Sequence, residues 1–311
     1  MKPLSVQLFG QFSIGVQDQI LTSLGSARIE ELFCFLLIQG GPVFRRESLA
    51  AQFWGDTTTK QSRKNLRHVL WKLQSALELI TKDGNDRFVI SKADTVRLNP
   101  NINLWIDVAE FKQAFRCING NLEPKAQKAD RLKSAVRLYR GDLLEGWQQD
   151  WCLCERERLQ NMYLEMLDWL IGFCESQRDY QAGLAYGESI LQLDSLRERT
   201  HQQLMRIHYL AGDRAAALHQ FGRCAKALQT ELGVGPSAQT ASLYEQIRAG
   251  QFMIGLNTGL QKTPQPPPPS SLPEILNHLH YLQNALVNLQ RQVCQDIDIV
   301  EKILSSQVDA T

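Results

Sequence analysis

The sequence predicts a mainly helical protein in three parts: a small α+β head, a long all-α body and a separate terminal helix. Three observations predict this. The first third mixes short strand-like runs with helical ones, the middle shows helical periodicity with an internal match at an offset of 34 residues, and six of the eleven prolines crowd between Pro264 and Pro273.

In the head, residues 1–105, Leu4–Phe9 alternates apolar and polar residues, and Ser13–Val16 and Gln19–Leu21 continue as short strands around Gly and Asp turn residues. Ala27–Gln39 is a strongly apolar helix halted by Gly40-Gly41-Pro42. Arg45–Trp54 is a second helix with Leu49, Phe53 and Trp54 apolar, halted at Gly55-Asp56. A third helix starts near Thr59 and runs to about Leu79. Phe88–Ser91 and Val96–Leu98 form a hairpin around Lys92–Thr95. Strands, three helices and a closing hairpin, in that order, make a winged helix-turn-helix.

In the body, residues 106–256, Asp179–Leu184 and Asp213–Leu218 are 34 residues apart, with Ala182 matching Ala216 and Leu184 matching Leu218. That period belongs to tetratricopeptide-like repeats, one helical hairpin per repeat. The Ala-Gly-Asp turn at 211–213 agrees with it, and small residues there let paired helices approach closely. Residues 257–273 then form a Pro-rich linker, because such a run favours extended polyproline geometry over helix. Beyond it, residues 274–306 read as a helix of coiled-coil type. Ile275, Leu279, Leu282, Leu286, Leu289 and Val293 are spaced 4, 3, 4, 3 and 4, a narrow heptad seam that needs a partner. Self-pairing in a homodimer and docking back onto the body both satisfy it.

Composition narrows the class. Of the 311 residues, 43% are hydrophobic and 22% charged, as in globular proteins. The longest wholly apolar run, Leu32–Ile38, is far short of the ~20 residues needed to span a bilayer. The first residues, MKPLSVQLFG, lack the apolar core of a signal peptide. The seven cysteines are odd in number and irregularly spaced, so a cytoplasmic chain with reduced thiols and no membrane partner is expected. The formal net charge of +1 is unevenly spread: +4 over residues 1–98, −1 over 99–256 and −2 over 257–311. The basic excess sits on the head.

The third helix concentrates that excess. Between Thr57 and Leu77 there are five Lys or Arg, one His and no acid. Leu66, Leu70, Leu73 and Leu77 recur at 4, 3, 4 and define a buried stripe. Lys60, Arg63, Lys64, Arg67, His68, Trp71 and Lys72 remain for the other side. An outward basic face suits the DNA major groove, where Arg forks read guanine O6 and N7 and Lys neutralises phosphate. A solvated basic face is the plain alternative. Its position as the third helix before a hairpin favours double-stranded DNA. Arg45 and Arg46 open the preceding helix, which crosses the phosphate backbone in such docking. Lys92 and Arg97 lie on the wing, where a tip reaches the minor groove or phosphates. Each of these four is otherwise ordinary surface charge.

Residues 4–250 resemble the bacterial transcriptional activators typified by the Streptomyces antibiotic regulatory proteins. These join an OmpR-type winged helix to a bacterial transcriptional activation domain. Gly41–Leu49 and Trp54-Gly-Asp56 resemble the family's helix-turn-helix, and Arg63-Lys-Asn-Leu-Arg67 through Leu73 its recognition helix. Leu138-Tyr-Arg-Gly-Asp142 resembles the family's L-W-R-G turn, followed by Trp151, Glu155 and Leu159. Leu196-Arg-Glu-Arg199 and Glu231–Ser237 resemble its most recognisable stretches. The resemblance implies a DNA-binding activator whose helical domain serves dimerisation or contact with RNA polymerase. Two departures stand out. Phe44 replaces the usual Ser or Thr cap of the second helix, a loss of ~1 kcal/mol that can shift the helix start. Asp94-Thr95 replaces a Gly-Tyr pair in the wing.

Other chemistry finds no pattern. The Cys152-x-Cys154 spacing is too short for a zinc pair, and His278 and His280 face different sides of a helix. The chain contains no G-x-x-x-x-G-K, G-x-S-x-G or H-E-x-x-H. No metal, no cofactor and no enzymatic activity are expected. Trp147, Trp151 and Trp169 are read as packing between helices rather than lining a ligand groove. The competing reading is a tetratricopeptide-like scaffold whose degenerate winged helix has lost DNA.

Overall fold

The computed structural model describes residues 4–16, 19–41, 43–81, 87–118 and 124–250. The linker 257–273 and the helix 274–306, with all six heptad positions from Ile275 to Val293, lie outside them. Residues 1–252 form one compact unit, described here by itself. Among the described residues, no helix is long and apolar enough to cross a membrane.

The head begins with an antiparallel meander, β1 (Leu4–Gln7), β2 (Ser13–Val16) and β3 (Gln19–Leu21). Helix α1 (Ala27–Gln39) follows, with Ile29 and every side chain from Glu31 to Ile38 buried. A helix apolar on all sides belongs inside a core, and α1 is the head's central rod. It ends at Gly40, whose left-handed backbone (φ 66°) lets its N–H reach the Leu37 carbonyl. The short strand β4 (Phe44–Arg45) leads into α2 (Arg46–Trp54) and α3 (Thr59–Thr81). The wing is β5 (Val89–Ser91) and β6 (Thr95–Leu98), and β7 (Leu104–Ile106) closes the head.

Two strands escape the sequence pattern, β4 and β7. A two- or three-residue strand carries no usable periodicity, and the partners are remote. β7 pairs in parallel with β1, Leu4 opposite Leu104, giving a sheet ordered β3-β2-β1-β7. β4 pairs with β6, Phe44 opposite Val96, giving a second sheet ordered β4-β6-β5. Arg45 therefore belongs to a strand and stands as the extended N-cap residue of α2, not as its first helical residue. The absent Ser/Thr cap is visible: Arg45 makes no capping side-chain bond, and the Arg46 N–H donates instead to the Asp94 carbonyl of the wing at 2.9 Å. Phe44 is used as a hydrophobe, against Phe35 with ring centroids 5.5 Å apart.

The body comprises α4 (Asp107–Arg116), α5 (Lys125–Val136), α6 (Asp150–Gln177), α7 (Tyr180–Leu193), α8 (Glu198–Leu210), α9 (Arg214–Leu232) and α10 (Ala238–Ala249). The 34-residue match has a physical basis. Asp179 and Asp213 are equivalent N-caps, each accepting from the N–H three residues on, Ala182 and Ala216. Small residues bring α7 against α8: a Cβ on Gly187 would lie 2.4 Å from Leu204, and one on Gly183 3.1 Å from Ile207. The chain is thus a winged helix-turn-helix followed by helical hairpins of tetratricopeptide type.

Head and body share one core. A single cluster of buried side chains runs from Leu4 through α1 and α3 to Cys152, Leu159 and Leu170 of α6. Phe35 of α1 meets Trp151 edge to face at 5.4 Å, and Trp147 packs on Trp151. The polar seam is equally specific. The buried Asp107 carboxylate accepts from the N–H groups of Leu8 (2.9 Å) and Phe9 (3.0 Å) in the β1–β2 turn. On the other side of that turn, Gly10 N–H donates to Asp142, and Leu144 and Glu145 donate to Leu8 and Gly10. Arg156 holds the same loop by donating to the Leu143, Leu144 and Trp147 carbonyls, each at 3.0 Å. Lys112 joins the Ile38 carbonyl at the end of α1 to Glu155 of α6.

Candidate nucleic-acid interface

The site is one side of α3 with its two flanks, the start of α2 and the wing. On α3 the predicted division of faces holds. Leu66, Leu70, Leu73 and Leu77 are buried, joined by Ser62 and Val69. Lys60, Arg63, Lys64, Arg67, His68, Trp71 and Lys72 are all exposed. Trp71 is 64% exposed, unusual for so large an apolar ring, and its ring stacks on His68 at 6.3 Å and 25°. The leucines anchor one side of the helix in the core while its basic side stays exposed.

The flanks are tied to each other. The wing turn closes with Lys92 N–H donating to Thr95 at 2.9 Å. The Arg46 guanidinium donates to the Lys92 carbonyl at 3.3 Å, so Arg46 holds the wing root as well as carrying charge. Lys92 is exposed at the tip, whereas Arg97 sits back on β6 opposite Ile90, half-buried. Arg45 is exposed beside them. The structure brings α3, Arg45, Arg46 and the wing into one continuous part of the head.

One residue of this surface escapes the sequence reading. Glu47, in the first turn of α2, forms an ion pair with Arg63 of α3. The acid-free stretch Thr57–Leu77 is real, but the fold supplies an acid from a different helix. Only the packing of α2 on α3 reveals it.

The remaining constellations are structural. Cys34, Cys152, Cys174 and Cys224 are buried, and burial pushes their thiols up, that of Cys224 to about 11. Neutral, enclosed thiols make poor ligands and nucleophiles. Among the described residues, no group of three His, Cys, Asp or Glu side chains converges as a metal site. Trp169 stacks on Phe173 at 5.6 Å beneath Lys128 and Lys133 of α5, packing between helices.

The family-like stretches of the body meet in space. Glu198 of Leu196–Arg199 accepts from the Ser237 N–H (3.0 Å) and hydroxyl (2.8 Å) and from the Thr240 hydroxyl. It thereby braces Ser237, the N-cap residue of α10, from 39 residues away. Burial works against its charge, but these hydrogen bonds hold its carboxyl below the usual Glu range. His201 is buried, with Nε2 donating to the Ser195 carbonyl at 3.0 Å and Nδ1 accepting from Gln220 at 2.8 Å. Burial holds this imidazole below the ordinary His value, in its neutral form.

Comparison with known proteins agrees with this architecture. Residues 106–248 match the bacterial transcriptional activator domain. Regulatory protein AfsR of Streptomyces griseus is 24% identical over 238 residues, covering 73% of this chain and 23% of the relative. Its counterpart from Streptomyces coelicolor is 24% identical over 237 residues, with 74% and 23% covered. The matched region is thus about a quarter of each curated relative. Among solved structures, Mycobacterium tuberculosis EmbR, determined with a low-affinity phosphopeptide, superposes with a TM-score of 0.59 at 18% identity. It covers 81% of this chain and 67% of its own, a likeness of fold.

Proposed function

We propose that the chain, whose residues 106–248 match the bacterial transcriptional activator domain, is a sequence-specific DNA-binding transcriptional regulator of the Streptomyces antibiotic regulatory type, and an activator. The observation that carries the reading is the two-faced α3: a fully buried leucine stripe on one side and seven exposed residues, five of them Lys or Arg, on the other. In this reading α3 enters the major groove. Lys60, Lys64 and Lys72 meet phosphates, Arg63 and Arg67 meet base edges, and His68 and Trp71 offer flat apolar contact. Arg45, Arg46, Lys92 and Arg97 flank it on the backbone and wing side.

The body contacts RNA polymerase or another partner, as helical-repeat surfaces do. The heptad positions Ile275, Leu279, Leu282, Leu286, Leu289 and Val293 support a homodimer, since so narrow a seam needs a partner and a second copy of itself supplies one. A cytoplasmic, non-enzymatic regulator without cofactor fits all of this.

Binding of the full chain to a random duplex library, measured against salt, tests the reading. Affinity should fall linearly in log salt, with a slope of about −0.9 per phosphate neutralised. The pair Lys64→Ala with Arg67→Ala should weaken binding and make that slope shallower by about 1, the share of the phosphate that Lys64 meets. Absence of binding at low salt, or a slope unmoved by the double substitution, would return the protein to the scaffold reading.

A further inference from the structure

We infer that Glu47 is a positioning residue for Arg63, fixing its guanidinium so that it reads a guanine rather than a phosphate. This rests on the DNA reading above and deepens it. Glu47 lies in the first turn of α2 and Arg63 in the second turn of α3, and the two side chains form an ion pair although both are more than half exposed.

Two ordinary explanations of the pair are weak. Exposed ion pairs contribute little to stability, because solvent and salt screen them. General attraction for DNA is not served either, since an acid on a surface that meets phosphates repels them. Orientation is what an acid can add at this place. A free Arg side chain has many rotamers and settles on whichever phosphate is nearest. Held by Glu47, the guanidinium keeps one orientation before DNA arrives, and the carboxylate discourages phosphate at the same spot.

The donor count permits the second partner. A guanidinium offers five N–H groups in a planar fork. Glu47 engages Arg63 through Nη2. Whichever Nη2 hydrogen it takes, one two-donor edge of the fork is left, which is what guanine O6 and N7 require. Glu47 is therefore a selectivity device set within an otherwise basic face.

The test uses the full chain and a duplex selected by it from a random library. Guanines in that duplex are replaced singly by 7-deazaguanine, which lacks N7. One replacement should weaken the wild-type protein by roughly two- to tenfold, about half the discrimination of one bidentate contact, since O6 remains. Arg63→Ala should abolish the penalty at that position, and Glu47→Ala should shrink it while leaving or raising affinity for unrelated duplex. On an Arg63→Ala background, Glu47→Ala should change nothing further. Thermal melting of each variant reports the fold separately. An undiminished penalty in Glu47→Ala, or an equal effect of that change with and without Arg63, overturns the inference and leaves DNA binding standing. If the wild type enriches no site at all, the DNA reading falls and the inference falls with it.

Discussion

Single residues in this protein act mostly by joining distant segments. Asp107 is the clearest case. Its carboxylate is the acceptor for the buried N–H groups of Leu8 and Phe9, almost a hundred residues earlier. Asp107→Ala would leave both donors without a partner in a core. At about 1–3 kcal/mol for each buried unsatisfied group, the loss should be ~2–6 kcal/mol. The melting temperature of the full chain should fall by several degrees, and a melt within a degree of wild type would contradict the role. Two other residues make the body sensitive to acid. His201 is held neutral by burial, so protons favour the unfolded chain as pH falls through 6.5. Glu198 is held ionised by Ser237 and Thr240, so its contribution is present above pH 4.5 and fades as pH drops below it. Stability followed from pH 7.5 to 3.5 should decline in two stages. Glu198→Gln should shrink the lower stage, to which Glu188 beside Arg223 also contributes, and keep the upper, and an unchanged lower stage would exclude Glu198 as one of its sources.

Elements were legible in the sequence to the extent that their signals are local. The apolar run of α1 and its Gly40 stop, the 4-3-4 leucines of α3 and the Asp caps of α7 and α9 all lie within one or two turns of the residues they organise. Strands β4 and β7 were not legible, because their partners lie some fifty and a hundred residues away. The start of α2 shifted for the same reason: its missing cap is replaced by the Asp94 carbonyl, a tertiary contact. The contact of α7 with α8 offers a test at this scale. Gly187 is buried and faces Leu204, itself fully buried, with no room for a methyl group. Alanine in place of glycine ordinarily helps a helix by about 1 kcal/mol. Here overpacking costs about 1–3 kcal/mol and should prevail. Gly187→Ala should therefore lower the denaturant midpoint, and a raised midpoint would show that the two helices are not so tightly seated.

The whole molecule departs furthest from what a sequence suggests. A basic head and a mildly acidic body look like two beads on a string, yet one core passes through both. The motif Leu138–Asp142 proves to lead into a joint, in which Asp142, Leu144 and Glu145 pair their backbone with the β1–β2 turn. The exposed basic side of α3 is thus set on the same compact unit as the helices of the body, so a partner bound to the body would hold the head as well. The assembly beyond this unit turns on residues 274–306. If their heptad seam makes a homodimer, sedimentation of the full chain should give twice the mass of the chain ended at Thr263. Equal masses would remove self-pairing.

The sequence by itself determined the class of fold, the order of the head's three helices, the buried and exposed sides of α3 and the 34-residue repeat of the body. All of these depend on periodicity and caps, interactions between residues close along the chain. Tertiary structure alone decided that head and body share a core, that Asp107 and Arg156 close the joint, that Glu198 braces the N-cap of a helix far along the chain and that Glu47 reaches Arg63. The first is apolar packing and the others are polar contacts, and each depends on how the chain folds back on itself, which no repeating pattern announces.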